Sequence, residues 1–209
     1  MSARRRPPER ATLPRVQPAP KHSVSPAEYL ALERASEPKH ELVNGEIVAM
    51  SGASPLHNLL SMNLGSLLRG LVAARPCVVL SSDQRVHVPA TGLFAYPDLT
   101  VVCGRPELHP EDDHTLVNPR VIVEVLSDST EAYDRGAKFA HYQSIASLEE
   151  YVLVSTREKR VEHYRRQGRG QWLLTVHVGQ GARVAFPALG GDVPLESIYE
   201  KVEALSMAQ

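Results

Sequence analysis

The first apolar positions to recur along the chain are Tyr29, Leu30 and Leu32. They follow Ser25-Pro26-Ala27-Glu28, a capping box with proline at the first helical position, so a short helix starts at Ser25 and stops before Pro38. Two apolar runs within 40–50 then flank Asn44-Gly45, which predicts a type I′ β-hairpin. Ser54-Pro55 repeats the cap signal. Leu56, Leu59, Leu60, Leu64, Leu67, Leu68 and Leu71 recur behind it at helical spacing, so the longest helix lies here and packs across a sheet. Cys77–Leu80 and Arg85–Val88 read as short strands. The runs 98–103 and 121–126 are β-branched and almost continuously apolar, as in strands buried on both faces. The polar, proline-bounded stretch 104–119 between them reads as a loop. A third helix is predicted over 130–144, capped by Asp128 or Ser129, and a buried strand over 151–154. Residues 160–166 and 171–178 form a hairpin around Gln167-Gly168-Arg169-Gly170. Residues 182–186 are a candidate further strand and 198–205 a terminal turn. The sum is an α/β fold with a central mixed β-sheet flanked by helices and a β-hairpin towards each end.

Composition adds boundaries. The chain has 209 residues, 43% hydrophobic and 22% charged, enough for one domain with a sizeable core. Residues 1–23 hold five prolines and no apolar periodicity, which predicts a disordered tail ahead of a single domain over 24–209. Within 1–22, six basic residues face Glu9 alone, a net +5 that leaves −6 for the rest of a chain whose total is −1. Such a tail attracts nucleic acid without sequence preference, or is simply a solvated leader. No apolar run approaches the roughly 18 residues of a membrane span, and no apolar segment follows the basic N-terminus as in a secretory signal. Cys77 and Cys103 lie in apolar runs and read as buried, reduced thiols of a cytoplasmic protein.

Two acids stand where apolar residues are expected. Asp98, after Pro97, opens the strand 98–103, and Glu124 interrupts Val121-Ile122-Val123-Glu124-Val125-Leu126. A carboxylate in a central strand is costly unless it is paired, protonated or bound to a cation. A structural ion pair with a core Arg or Lys explains Glu124 about as well as a functional role does. The next helix places Asp134, Lys138 and Tyr142 on one face, so Lys138 can point back to the end of the Glu124 strand. On spacing alone, Lys138 is an ordinary partner for Asp134. Two carboxylates and a lysine nevertheless form the minimum set for metal-assisted phosphodiester hydrolysis.

Three stretches carry a resemblance. They are Tyr96-Pro97-Asp98, the run from Val123 to Thr130, and Asp134-Arg135-Gly136-Ala137-Lys138-Phe139-Ala140-His141-Tyr142. Together with His40-Glu41-Leu42-Val43-Asn44-Gly45-Glu46-Ile47 and Ser51-Gly52-Ala53-Ser54-Pro55-Leu56-His57, they resemble the Uma2 family of restriction-endonuclease-like proteins, within the PD-(D/E)XK nuclease superfamily. The resemblance runs from about Ser25 to Tyr199. It implies a metal-dependent endonuclease that hydrolyses DNA phosphodiester bonds with Mg²⁺ or Mn²⁺. Asp98 and Glu124 would be metal ligands, with Glu41 as an extra acidic ligand and the Val125 carbonyl as a further one. The superfamily's usual lysine, two positions after the second acid, would fall on Leu126; the resemblance instead assigns that role to Lys138, as base or charge stabiliser. His57 would contact phosphate or orient Glu41, with a helix-capping or surface role as the equal alternative, and Tyr142 and Gln143 would support the lysine. The partner is then nucleic acid, with DNA expected, and by analogy two copies pair as a homodimer to cut both strands. The competing reading is a nuclease-fold binding or regulatory module with little catalysis, because the lysine is displaced and the body acidic. A carboxylate-pair glycosidase is weak, since aromatic residues make up only 5% of the chain.

Overall fold

The computed structural model describes residues 23–168 and 170–206. The predicted tail therefore lies, apart from Ser23, outside the described residues. Helix α1 (Pro26–Ala35) starts at the expected capping box: Ser25 Oγ accepts from the Glu28 N–H while the Glu28 carboxylate accepts from the Ser25 N–H. Strands β1 (His40–Val43) and β2 (Glu46–Ala49) form the first hairpin. Asn44 and Gly45 turn it with φ of 51° and 78°, the left-handed pair that a type I′ turn demands. Helix α2 (Pro55–Leu71) is capped by Ser54 and buries Leu60, Leu64 and Leu68 on one stripe.

The strands divide into two six-stranded sheets and a ribbon. After α2 come β3 (Cys77–Ser81), β4 (Arg85–Val88), β5 (Leu93–Ala95), β6 (Leu99–Cys103), β7 (Leu108–His109), β8 (Asp112–Leu116) and β9 (Val121–Val125). A helical segment follows, built from α3 (Glu131–Tyr133), a π-turn (Asp134–Lys138) and α4 (Phe139–Tyr142). Then come β10 (Glu150–Val154), β11 (Arg160–Gly168), β12 (Gln171–Val178), β13 (Arg183–Phe186), β14 (Gly191–Pro194), α5 (Leu195–Ile198) and α6 (Val202–Ser206). The main sheet runs β12-β11-β10-β9-β6-β3 and is mixed, with β9 and β10 parallel and its other neighbours antiparallel. The α/β class and the mixed central sheet hold. The second sheet, β2-β1-β5-β4-β8-β7, gathers strands that the sequence reading does not group together.

Each face of the main sheet carries a core. On one, α2 lays Leu60, Leu64 and Leu68 on Val101, Val121, Val123, Val152 and Val154, with Phe186, Leu189 and Ile198 closing the cluster. Each such leucine contributes about 1.5–3 kcal/mol of burial, which fixes α2 across the strands. On the other face, Ile122, Tyr151 and Leu153 pack with Phe139, Tyr142 and Leu148 and with Val86, Val88 and Leu93 of the second sheet.

Three expectations are corrected. The stretch 104–119 is not a plain loop: β8 pairs in parallel with β4. Its polar residues mask the strand because they are satisfied inside. The buried Arg85 guanidinium donates to Asp112 Oδ2 at 2.6 Å, Thr115 Oγ1 at 2.7 Å and Tyr96 Oη at 2.9 Å. The third helix is not a uniform α-helix, since a π-turn replaces its middle. Cys77 and Cys103 are not free thiols. They face each other across β3 and β6 and are joined as a disulfide. The register of two long-separated strands makes that pairing, and the cytoplasmic expectation loses the support it drew from reduced thiols. No helix among the described residues is long and apolar enough to cross a membrane.

Candidate active site

The acids singled out above converge from separate elements. Glu41 comes from β1 of the second sheet, and Glu124 from the centre of β9 in the main sheet. The β6–β9 register pairs Leu99 with Val123, which sets Asp98, one residue earlier, opposite Glu124. Asp98 Oδ2 accepts from the Val125 N–H at 2.7 Å and lies 3.1 Å from His57 Nε2, in the first turn of α2. The π-turn delivers Lys138. Its Nζ is 3.0 Å from Glu124 Oε1, 3.1 Å from Glu41 Oε1 and 3.6 Å from Asp134 Oδ1. Glu124 and Lys138 are 4% and 5% exposed, so this is a buried ionic cluster.

The π-turn explains why so much polarity fits here. A widened turn lets the consecutive residues Lys138 and Phe139 both point inward, and both are buried along with Asp134 and Tyr142. Tyr142 Oη donates to Glu124 Oε1 at 3.2 Å, and Tyr151 Oη donates to the Asp134 carbonyl at 3.0 Å. The Tyr96 N–H donates to Glu41 Oε1 at 3.3 Å. Tyr133 stands beside the cluster, with Lys138 Nζ 5.8 Å from its ring centre.

Three carboxylates share one ammonium, and a fourth, Asp98, pairs with His57. Burial pushes the Glu124 carboxyl well above its usual range; Lys138 opposes the shift, while Asp134, Asp98 and Glu41 add to it. Asp134 is also raised, chiefly by burial. Burial works against the charge on Lys138, but Glu124, Glu41 and Asp134 outweigh it and hold the amine well above its ordinary value. For His57, burial opposes protonation, yet Asp98, the Val125 carbonyl and Asp134 together raise its pKa. The site is therefore under-neutralised: it holds more carboxylate than cation.

Of the residues expected from sequence, Glu41, Asp98, Glu124, Val125, Lys138, His57 and Tyr142 are brought together. Gln143 is not. It is exposed at the end of α4, where its backbone carbonyl accepts from Arg166 at 3.0 Å. One position past Tyr142 on a helix turns the side chain away from the face that Tyr142 occupies. Asp134 and Tyr133 are site neighbours that sequence reasoning did not assign. Asp134 reads there as a routine helix-surface partner of Lys138, and nothing in the pattern marks Tyr133.

The donor set is all oxygen apart from His57, which suits Mg²⁺ or Mn²⁺, and its excess negative charge matches a divalent cation. Among the described residues, however, no three His, Cys, Asp or Glu side chains stand in an arrangement that could hold a metal ion. The Lys138 ammonium draws three of the carboxylates to itself. Surface clefts lined by Arg34, His109 and Asp113, and by Arg165, Arg166 and Pro187, share no residue with this cluster.

Known proteins resemble this chain over most of its length. Two uncharacterized proteins of Synechocystis sp., sll1609 and slr1290, are 37% and 33% identical to it. The first alignment covers 78% of this chain and 92% of the relative, the second 87% and 94%. A solved structure from Anabaena variabilis, titled a "putative nuclease belonging to DUF820", superposes with a TM-score of 0.69 at 18% identity, over 84% of this chain and 97% of that one, and so shares the fold. The model of the Uma2 family, described as "Putative restriction endonuclease", matches residues 26–195, and the chain belongs to that family.

Proposed function

We propose that this chain is a metal-dependent endonuclease that hydrolyses DNA phosphodiester bonds. The observation that carries the reading is the meeting of Glu41, Glu124 and Asp134 on one buried ammonium, with Asp98 hydrogen-bonded beside them. A structural ion pair needs one partner for Lys138; surplus buried acids cost stability unless they are protonated or meet another cation, and a divalent ion supplies that cation. Family membership and the shared nuclease-like fold support the same reading.

In this reading Asp98, Glu124, Glu41 and the Val125 carbonyl hold Mg²⁺ or Mn²⁺. A divalent ion held there would supply Lewis acidity, lowering the pKa of water and offsetting charge on the phosphate. Lys138 serves as base or charge stabiliser, and its carboxylate neighbours favour the ammonium form and so the second role. His57, hydrogen-bonded to Asp98, orients that carboxylate. Tyr142 fixes Glu124.

The test is incubation of plasmid DNA with the purified protein in Mg²⁺, Mn²⁺ or a chelator, wild type beside Asp98→Ala. The expected result is nicking or linearisation by wild type with metal only, and a loss of at least about a hundredfold in the variant. Equal cleavage by both proteins contradicts the site assignment. A second reading, a binding or regulatory module on a nuclease fold, is favoured by Lys138 contacting the carboxylates that would take the ion. Calorimetric titration separates the two: nucleic acid binding with no uptake of Mg²⁺ or Mn²⁺ supports the module.

A further inference from the structure

Two polar atoms at the cluster are buried and find no hydrogen-bond partner among the described residues: His57 Nδ1 and the Tyr133 hydroxyl. The hydroxyl is the more telling. A phenol O–H sealed from water without an acceptor is destabilising, and folded proteins leave few such groups unpaired. The charged groups that act on Tyr133 are Glu41, Lys138, Asp134 and Glu124, the members of the cluster itself. Yet these acids are drawn to Lys138 and Tyr142, and none takes the Tyr133 proton. Tyr133 is also the residue just before the π-turn, so the backbone device that positions Asp134 and Lys138 positions it too. Lys138 Nζ lies 5.8 Å from its ring centre, which puts the phenol ring beside the cluster's ammonium.

An oxyanion drawn to that ammonium would bring the missing acceptor. We propose that Tyr133 is a substrate-contacting residue whose hydroxyl donates a hydrogen bond to a non-bridging oxygen of the bound phosphodiester. The assignment rests on the nuclease reading above and adds a specific phosphate contact to it.

Tyr133→Phe removes only the oxygen. Three readings on the full chain test it against wild type and Asp98→Ala. These are affinity for a short mixed-sequence DNA duplex in Ca²⁺, cleavage of that duplex in Mn²⁺, and the thermal midpoint. Loss of a hydrogen bond to a charged oxygen weakens affinity or cleavage about tenfold or more. The thermal midpoint stays unchanged or rises, because the deleted hydroxyl had no partner in the free protein. A purely structural tyrosine gives the reverse, a lower midpoint with DNA affinity and cleavage per folded molecule unchanged, and overturns the proposal. Full affinity and full cleavage in Tyr133→Phe also overturn it, and mean that the hydroxyl meets an ordered water only. If Asp98→Ala is inactive while Tyr133→Phe matches wild type, the nuclease reading stands and this inference falls. If wild type cuts nothing but Tyr133→Phe still loses affinity for the duplex, the phosphate contact stands without the hydrolase.

Discussion

Lys138 and Glu124 were legible in sequence for different reasons. Glu124 announces itself, because a carboxylate inside Val-Ile-Val-Glu-Val-Leu demands a partner. Lys138 does not; on spacing it is a surface companion of Asp134, and only the family resemblance singled it out. Asp134 stayed hidden because its burial comes from the element, not from its neighbours in sequence. His57 lies between these cases: the cap at Ser54 places it in the first turn of α2, but its contact with Asp98 spans elements. That contact has a pH signature. The pKa of His57 is raised in the folded chain, so its contribution to stability is complete below the unfolded value near 6.5 and is lost as pH rises through the folded value. His57→Gln keeps a donor without the charge. The difference in thermal midpoint between wild type and this variant should be largest at about pH 6 and shrink toward about pH 9. A difference independent of pH would show that the imidazolium–Asp98 contact does not form in solution.

At the scale of elements, capping and turn chemistry carried most of the reading. Ser25, Ser54 and Asn44-Gly45 mark local structure, and α1, α2 and the first hairpin form where those residues place them. Strand β8 escaped because its Asp112 and Thr115 look like loop residues until Arg85 is brought beside them by a strand 27–30 positions away. The π-turn escaped because apolar spacing cannot distinguish one widened turn from a regular helix when Lys138 breaks the apolar face. Its consequence is energetic. Lys138→Met keeps the helix and the volume but removes the cation from three buried acids. Removing one partner of a buried pair costs about 3–5 kcal/mol. We expect denaturant unfolding of this variant to show a loss of that order at neutral pH. The loss should shrink in acid, as the stranded carboxylates take up protons. An undiminished unfolding free energy at neutral pH would mean that the ammonium does not hold the acids together.

At the scale of the whole molecule, the site belongs to no single unit of secondary structure. Glu41 arrives from the second sheet, Asp98 and Glu124 from the main sheet, Lys138 from the helical segment and His57 from the first turn of α2. Sequence could name most of these residues but not assemble them, because strand partners in each sheet are set by long-range packing. The Cys77–Cys103 link has the same origin: it follows from the β3–β6 register, which neither cysteine's neighbours reveal. The central claim is that these converging acids bind a divalent ion. The most direct measurement is an anomalous difference map from crystals of the full chain in Mn²⁺. The account predicts a strong peak liganded by Asp98 and Glu124, with the Lys138 ammonium displaced from at least one carboxylate. A map without a peak there at saturating Mn²⁺, and with Lys138 still bridging Glu41 and Glu124, would contradict it.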